Sequence, residues 1–196
     1  MMLPSVSFGK TLAAKGGYLD NGVSKICKIY ELSPIKDKNY FKHVISDNDW
    51  KGNYHLKMAS ENFLECYLGD ETFVAENSAG KCLGYINISE GKKFNGWHEI
   101  NFLETCPSYA NKNQNRTVKY IGETLLSFAV LKSKNSHDDY ITVPSAARRA
   151  WSFYKKKCGF HSCGDTFKTL FMDNFEYDKL LDQNTRHTGV KLECVA

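Results

Sequence analysis

From Ile26 onward, short β-branched and aromatic runs alternate with amphipathic stretches, an order that accommodates a sheet flanked by helices and little else. Ile26–Leu32 reads as a strand closed by Ser33-Pro34. Residues 37–50 place Tyr40, Phe41, Val44 and Ile45 at helical spacing, and a second helix is expected near residues 55–68. Three strands follow: Thr72–Glu76, ended by the turn signal Asn77-Ser78-Ala79-Gly80; Cys82–Ser89, broken at Glu90-Gly91; and Trp97–Thr105, stopped by Pro107. The clearest helix spans residues 120–132, with Ile121, Leu125 and Phe128 on one face. Tyr140–Val143 is another strand. Ser145–Lys157 reads as a second strong helix, and Gly159 sits where a left-handed cap is wanted. A hairpin over Phe160–Cys163 and Thr166–Met172 and a short helix over Phe175–Leu181 complete the pattern. The expected class is α/β (α+β): a single mixed, mostly antiparallel twisted sheet flanked by helices. Residues 1–24, with Gly9, Gly16, Gly17 and Gly22, are expected to form a loosely structured N-terminal arm, 25–183 the folded domain, and 184–196 a polar tail.

Composition bounds the function. Of 196 residues, 42% are hydrophobic and 24% charged, which excludes disordered and collagen-like chains. The balance of 26 Lys+Arg against 22 Asp+Glu gives +4, compatible with a phosphate-bearing ligand and too weak to argue for nucleic acid. The most apolar stretch, Leu125–Leu131, is far short of the roughly 20 residues a membrane span needs. The start, Met1-Met2-Leu3-Pro4, lacks the charged-then-apolar pattern of a secretory signal. The seven Cys contain no CxxC pair and several lie in apolar runs, so buried free thiols in a reducing, cytoplasmic setting are expected.

Chemistry concentrates between Trp97 and Phe160. The polar, basic loop Asn111–Lys119 opens directly onto the helix containing Gly122. A helix start leaves backbone N–H groups unpaired and carries partial positive charge, so with Arg116 and Lys119 beside it the loop suits a phosphate or diphosphate. An ordinary strand-to-helix loop with solvated charges accounts for it equally. Tyr154, taken alone, serves as a core tyrosine with its hydroxyl at the edge, and Lys155–Lys157 as a solvated helix end favoured by the dipole. His98 and His161 read as structural. Cys158, His161 and Cys163 lack a fourth ligand and recognised spacing, so no metal is expected. Cys106 reads as a neutral buried thiol rather than a nucleophile.

Together these pieces resemble the GNAT superfamily of acyl-CoA-dependent N-acyltransferases over about residues 97–172. The strand Glu99–Thr105 ending at Cys106-Pro107 is similar to the family's fourth strand. Asn115–Leu126 (NRTVKYIGETLL) resembles its pyrophosphate loop and helix, and Ile141–Val143 its fifth strand. Ala150, Tyr154, Gly159 and Phe160 fall in register with its AxxxYxxxGF ending. In the register set by Gly122, Thr117 stands at the Gln/Arg position and Tyr120 at that of the first glycine, while Ala147 stands where the family often has Asn.

The resemblance implies an N-acetyltransferase with acetyl-CoA as co-substrate and no metal, acting on a small-molecule or protein amine, as monomer or homodimer, without nucleic acid or membrane. It places the cofactor against Leu103, Glu104, Thr105, Arg116, Thr117, Val118, Lys119, Tyr120, Ile121, Gly122, Glu123, Ala147 and Tyr154. Glu99 is the first choice of general base and Glu104 the second, with Tyr154 as general acid to the departing thiolate. Simple alternation puts Glu99, Asn101, Leu103 and Thr105 on one strand face and Glu104 on the other. A strand-edge carboxylate with no catalytic part is the alternative for Glu99. The alternative for the whole chain is a non-catalytic domain of the same fold that binds CoA or a protein. Tyr40, Trp50, Tyr54, Phe167 and Phe171, and the carboxylates Asp47, Asp49, Glu61 and Glu65, are candidates for an acceptor cleft, though core packing and a wet helix surface explain them as well.

Overall fold

In the computed structural model the described residues are 9–33, 36–37, 39–46, 50, 70–90, 97–107, 117–144, 146–162 and 169–195. The expected helix at 55–68, the loop 111–116 with Arg116, and Asp47, Asp49, Tyr54, Glu61, Glu65, Cys66, Cys163 and Phe167 lie outside them.

A ten-stranded sheet organises the chain, in the order β10-β1-β2-β3-β4-β5-β7-β9-β8 with β6 paired to β1. Its strands are β1 (Thr11–Asp20), β2 (Val23–Leu32), β3 (Asp70–Glu76), β4 (Cys82–Glu90), β5 (His98–Thr105), β6 (Val118–Lys119), β7 (Tyr140–Val143), β8 (His161–Ser162), β9 (Leu170–Asp173) and β10 (Glu193–Cys194). Among the described residues only β5 and β7 pair in parallel. The mixed, mostly antiparallel sheet is therefore the expected one. Among the described residues three α-helices accompany it: α1 (Tyr40–Ser46), α2 (Ile121–Asn135) and α3 (Tyr177–Thr188).

Each face of the sheet carries its own core. Against one face α2 presses Ile121, Leu125, Leu126, Phe128 and Ala129, and Phe128 meets Phe73 edge-on at 4.7 Å. On the other, Leu32, Tyr40, Val44, Trp50, Val74, Cys82, Tyr85 and Cys106 pack together, with Trp50 Nε1 donating to the Cys82 carbonyl (3.1 Å). Burial pushes the Cys27 and Cys82 thiols up to about 12. Cys27, Cys82, Cys106 and Cys158 are buried free thiols, as expected, and Cys194 is exposed. Among the described residues, no helix is long and apolar enough to cross a membrane.

Three expectations need correcting. Residues 11–20, read as a loose arm, form β1. The two-residue turn Asn21-Gly22 has φ of 50° and 79°, the backbone that joins tightly twisted hairpin strands. Gly16 and Gly17 are strand residues that let helices approach. A Cβ at Gly16 would stand 2.5 Å from Thr124 Cγ2, and one at Gly17 2.6 Å from Thr188 Oγ1.

The chain's end, read as a tail, continues α3 to Thr188 and then adds β10 to the edge of β1. Its inward residues there are polar: Asn184 Nδ2 donates to Thr124 Oγ1 (3.0 Å), and Thr188 Oγ1 donates to the Asn184 carbonyl (2.8 Å). Hydrophobic periodicity cannot see a helix face buried through hydrogen bonds.

Finally, the helix expected over 145–157 is a 3₁₀ turn, Arg148–Ala150, followed by a π-helix, Ser152–Lys157. Gly159, at φ 83°, closes it as a left-handed cap, with the Phe160 N–H donating to the Tyr154 carbonyl at 3.0 Å. Apolar spacing does not separate a π turn from an α turn over so short a run.

Gly84 lies where β4 passes α2. A Cβ there would stand 2.8 Å from the Glu104 carbonyl oxygen and 3.0 Å from Ile121 Cγ2. Gly84→Ala is expected to cost about 1–3 kcal/mol. It should lower the urea midpoint at unchanged slope, and an unaltered midpoint would contradict this packing.

Candidate functional site

β5 and β7 pair only through His98↔Ile141 and Glu99↔Thr142. Beyond that point β5 runs on to Thr105 while β7 stops at Val143, and the parallel ladder opens. At the end of the shared ladder Thr142 is 4% exposed, and its Oγ1 has no hydrogen-bond partner among the described residues.

A bulge in β5 rearranges the faces. Asn87 of β4 pairs with Phe102 and Ile88 with Ile100, so Asn101 is an extra residue. The alternation slips by one. Glu99, Asn101, Phe102 and Glu104 share a face, while Ile100, Leu103 and Thr105 turn toward α2. The expected separation of Glu99 from Glu104 is thus overturned, as is the grouping of Glu99 with Leu103 and Thr105. Asn101 Nδ2 donates to Asn87 Oδ1 (2.9 Å) and Ser89 Oγ (3.1 Å), which anchors the bulge. His98 faces the other way, buried, with Asp138 Oδ2 taking both its ring and its backbone N–H, the latter at 3.0 Å. His161 is exposed and contacts Glu176 (2.7 Å).

The chain entering α2 is tied to the β1–β2 hairpin. The Asn21 N–H donates to the Thr117 carbonyl (2.7 Å), and β6 pairs Lys119 with Leu19 and Val118 with Asp20. Tyr120 then adopts φ 72°, ψ 6°, the left-handed conformation a glycine takes freely. A residue with a Cβ pays about 1–2 kcal/mol for it. The Tyr120 ring stacks on His187 of α3, with centroids 4.8 Å apart and planes at 21°. A ring pair of this kind contributes about 0.5–1.5 kcal/mol, enough to offset much of that cost. Among the described residues no side chain caps the helix start, and the first intrahelical bond is from Thr124 N–H to the Tyr120 carbonyl (2.8 Å). The amides of Ile121, Gly122 and Glu123 belong to the first turn, which has no intrahelical acceptors.

These amides border a pocket of about 650 Å³ lined by Thr105, Val118, Lys119, Tyr120, Ile121, Gly122, Glu123, Phe153, Lys156, Lys157, Gln183 and His187. At Gly122 a Cβ would stand 3.4 Å from Thr105 Cγ2 and 3.6 Å from Phe153 Cζ, so the missing side chain leaves a narrow slot at the helix start. Lys119, Lys156 and Lys157 supply positive charge. The carboxylate of Glu123, 5% exposed, is turned onto α3: His187 Nδ1 contacts Oε1 at 2.8 Å and Gln183 Nε2 donates to Oε2 at 3.3 Å.

Of the residues the resemblance singled out, Thr105, Val118, Lys119, Tyr120, Ile121, Gly122 and Glu123 line this one pocket. Thr117 adjoins them through its backbone, and Leu103 packs toward the α2 core. Ala147 is exposed ahead of the 3₁₀ turn and is outside the pocket lining. Tyr154 is buried against Phe153 and Phe160, with ring centroids at 5.2 and 5.5 Å. Phe153, its neighbour, edges the pocket. Burial first, then the Cys158 and Glu104 charges, raise the Tyr154 hydroxyl well above the ordinary tyrosine value. Sequence reasoning missed Phe153, Lys156, Lys157, Gln183 and His187 as pocket residues. The i, i+4 spacing of Gln183 and His187 on one helix face was the available signal. Among the described residues no cluster of His, Cys, Asp or Glu could hold a metal ion.

No protein-family model matches the sequence, and neither does any curated protein sequence. Solved structures do match. The chain is similar to an acetyltransferase of the GNAT family from Staphylococcus aureus Mu50, with TM-score 0.50 and 17% identity over 76% of this chain and 99% of that one. It is similar to the spermidine/spermine N-acetyltransferase SpeG from Vibrio cholerae, with TM-score 0.51 and 15% identity over 78% and 98%. It is also similar to AtaTR bound with AcCoA, with TM-score 0.55 and 17% identity over 79% and 97%. The chain has the GNAT acetyltransferase fold.

Burial keeps the resting Tyr154 hydroxyl protonated well past the pH at which an exposed tyrosine ionises. In the unfolded chain it titrates near its ordinary value of 10.0. Its contribution to stability is thus complete below pH 10 and is lost as the pH climbs toward the higher folded value. In an ultraviolet phenolate titration, Tyr154→Phe should superimpose on wild type until unfolding begins. A difference near pH 10 between two folded proteins would contradict the burial.

Proposed function

We propose that the protein is an N-acetyltransferase that moves an acetyl group from acetyl-CoA to a primary amine. The observation that carries this reading is the pocket at the start of α2. A left-handed turn, unpaired amides, the slot at Gly122, and Lys119, Lys156 and Lys157 together suit a diphosphate, and the pocket sits beside the opening between β5 and β7. Bound acetyl-CoA would supply the thioester carbonyl. The amides of Ile121, Gly122 and Glu123 hold the diphosphate, with the lysines as counter-charge.

Glu99 is the base. It takes a proton from the amine, directly or through a water, so that the nitrogen lone pair can attack the carbonyl carbon. A backbone N–H near Leu103 stabilises the oxyanion. As the C–N bond forms, the nitrogen sheds its second proton to solvent; as the C–S bond breaks, Tyr154 gives its proton to the departing sulfur and is later reprotonated from solvent, which also receives the proton from Glu99. Because Glu99 and Glu104 share a face, that side of β5 offers two carboxylates to a cationic amine. This favours a polyamine-like or lysine-like acceptor over a neutral one.

The test is thiol release from acetyl-CoA against grouped amine acceptors. Release should require the amine. Tyr154→Phe should lower kcat by about 10²-fold while acetyl-CoA binding stays near wild type. Glu99→Gln should lose most activity at low pH, where the amine is hardest to deprotonate. CoA binding with no turnover on any amine would instead identify a non-catalytic CoA-binding domain. Full activity in Tyr154→Phe would remove Tyr154 from the mechanism.

A further inference from the structure

The C-terminal helix reaches the pocket through Gln183 and His187, which lie outside its buried face. α3 is anchored by its buried residues Tyr177, Leu180, Asn184 and Thr188. His187 is not among them. Its side chain is 40% exposed, yet it is fixed on two sides. Glu123 clamps its Nδ1 with both oxygens, at 2.8 and 3.1 Å, and Gln183 in turn spans from Glu123 to the Lys157 carbonyl (2.8 Å). A ring held in this way presents a fixed surface, and Tyr120 lies flat on it. Tyr120 is also the one residue of the α2 turn with a left-handed backbone, a state its Cβ disfavours.

We infer that His187 is a positioning residue for the cofactor turn: its clamped ring holds Tyr120 in the left-handed conformation that exposes the amides of Ile121 and Gly122. The chain thereby uses a tyrosine where glycine would serve, and α3 becomes part of the binding site without touching the reacting atoms. The inference rests on the acyl-CoA reading for its ligand. Its physical content, that Tyr120 depends on His187, stands apart from that reading.

The test is a variant set titrated with CoA by calorimetry, each member first shown to unfold cooperatively. His187→Ala should raise the CoA Kd by about tenfold, equivalent to about 1.4 kcal/mol. It should also raise the KM for acetyl-CoA and leave kcat at saturation unchanged. His187→Phe keeps a stacking ring and should recover most of the affinity. Tyr120→Gly needs no brace, so adding His187→Ala to it should have no further effect. Wild-type affinity in His187→Ala, or an equal loss in the Tyr120→Gly background, would overturn the inference. If the wild-type protein binds no CoA, the acyl-CoA reading falls and the free protein decides this one. His187→Ala should then shift the Tyr120, Ile121 and Gly122 amide resonances in the wild-type background and not in the Tyr120→Gly background. Shifts of equal size in both would overturn it.

Discussion

The hydroxyl of Thr124 donates to the carbonyl of Gly17 at 2.6 Å, and the arrangement of the molecule depends on that bond. It is made at the first turn of α2, in a fully buried position, across more than half the length of the chain. It exists because the neighbouring Gly16, whose Cβ would stand 2.5 Å from Thr124 Cγ2, has no side chain to keep the helix away. Asn184 Nδ2 donates to the same hydroxyl, so β1, central helix and C-terminal helix meet at one point. Once the start of α2 is held there, the turn before it must close through Tyr120, and the pocket opens at a fixed place beside β5.

The pocket then has three walls of different origin. The α2 turn gives backbone amides. The π-helix gives Phe153, Lys156 and Lys157. α3 gives Gln183 and His187. Gln183 joins the last two by bonding the Lys157 carbonyl. An acidic residue at a helix start is ordinarily favourable, but in a phosphate pocket it would oppose the ligand. Here Glu123 is turned onto α3 and spends both oxygens there. A side chain that would weaken the site instead braces it.

Much of this was legible in the sequence. The run Ile121–Phe128 announced α2 through its spacing, and the strands from Thr72 to Thr105 stood out through β-branched runs between turn signals. Lys119 and Gly122 were recognisable from the loop-to-helix pattern, and Tyr120 from the family resemblance. The rest was hidden for identifiable reasons. β1 contains two glycines chosen for close approach, which dilutes the strand signal. The inward face of the second half of α3 is polar, Asn184 and Thr188, so its burial leaves no apolar stripe beyond Leu181. The bulge at Asn101 shifts every later side chain of β5 to the opposite face, and no local signal in Glu99–Thr105 marks it. That slip decides that Glu99 and Glu104 stand on one side.

The central claim is that main-chain nitrogens at the start of α2 hold a diphosphate. Amide resonances followed during a CoA titration test it most directly. The account predicts that the largest shifts fall on Ile121, Gly122 and Glu123, and that the same three move when inorganic pyrophosphate replaces CoA. Saturable CoA binding that leaves those amides in place would contradict it.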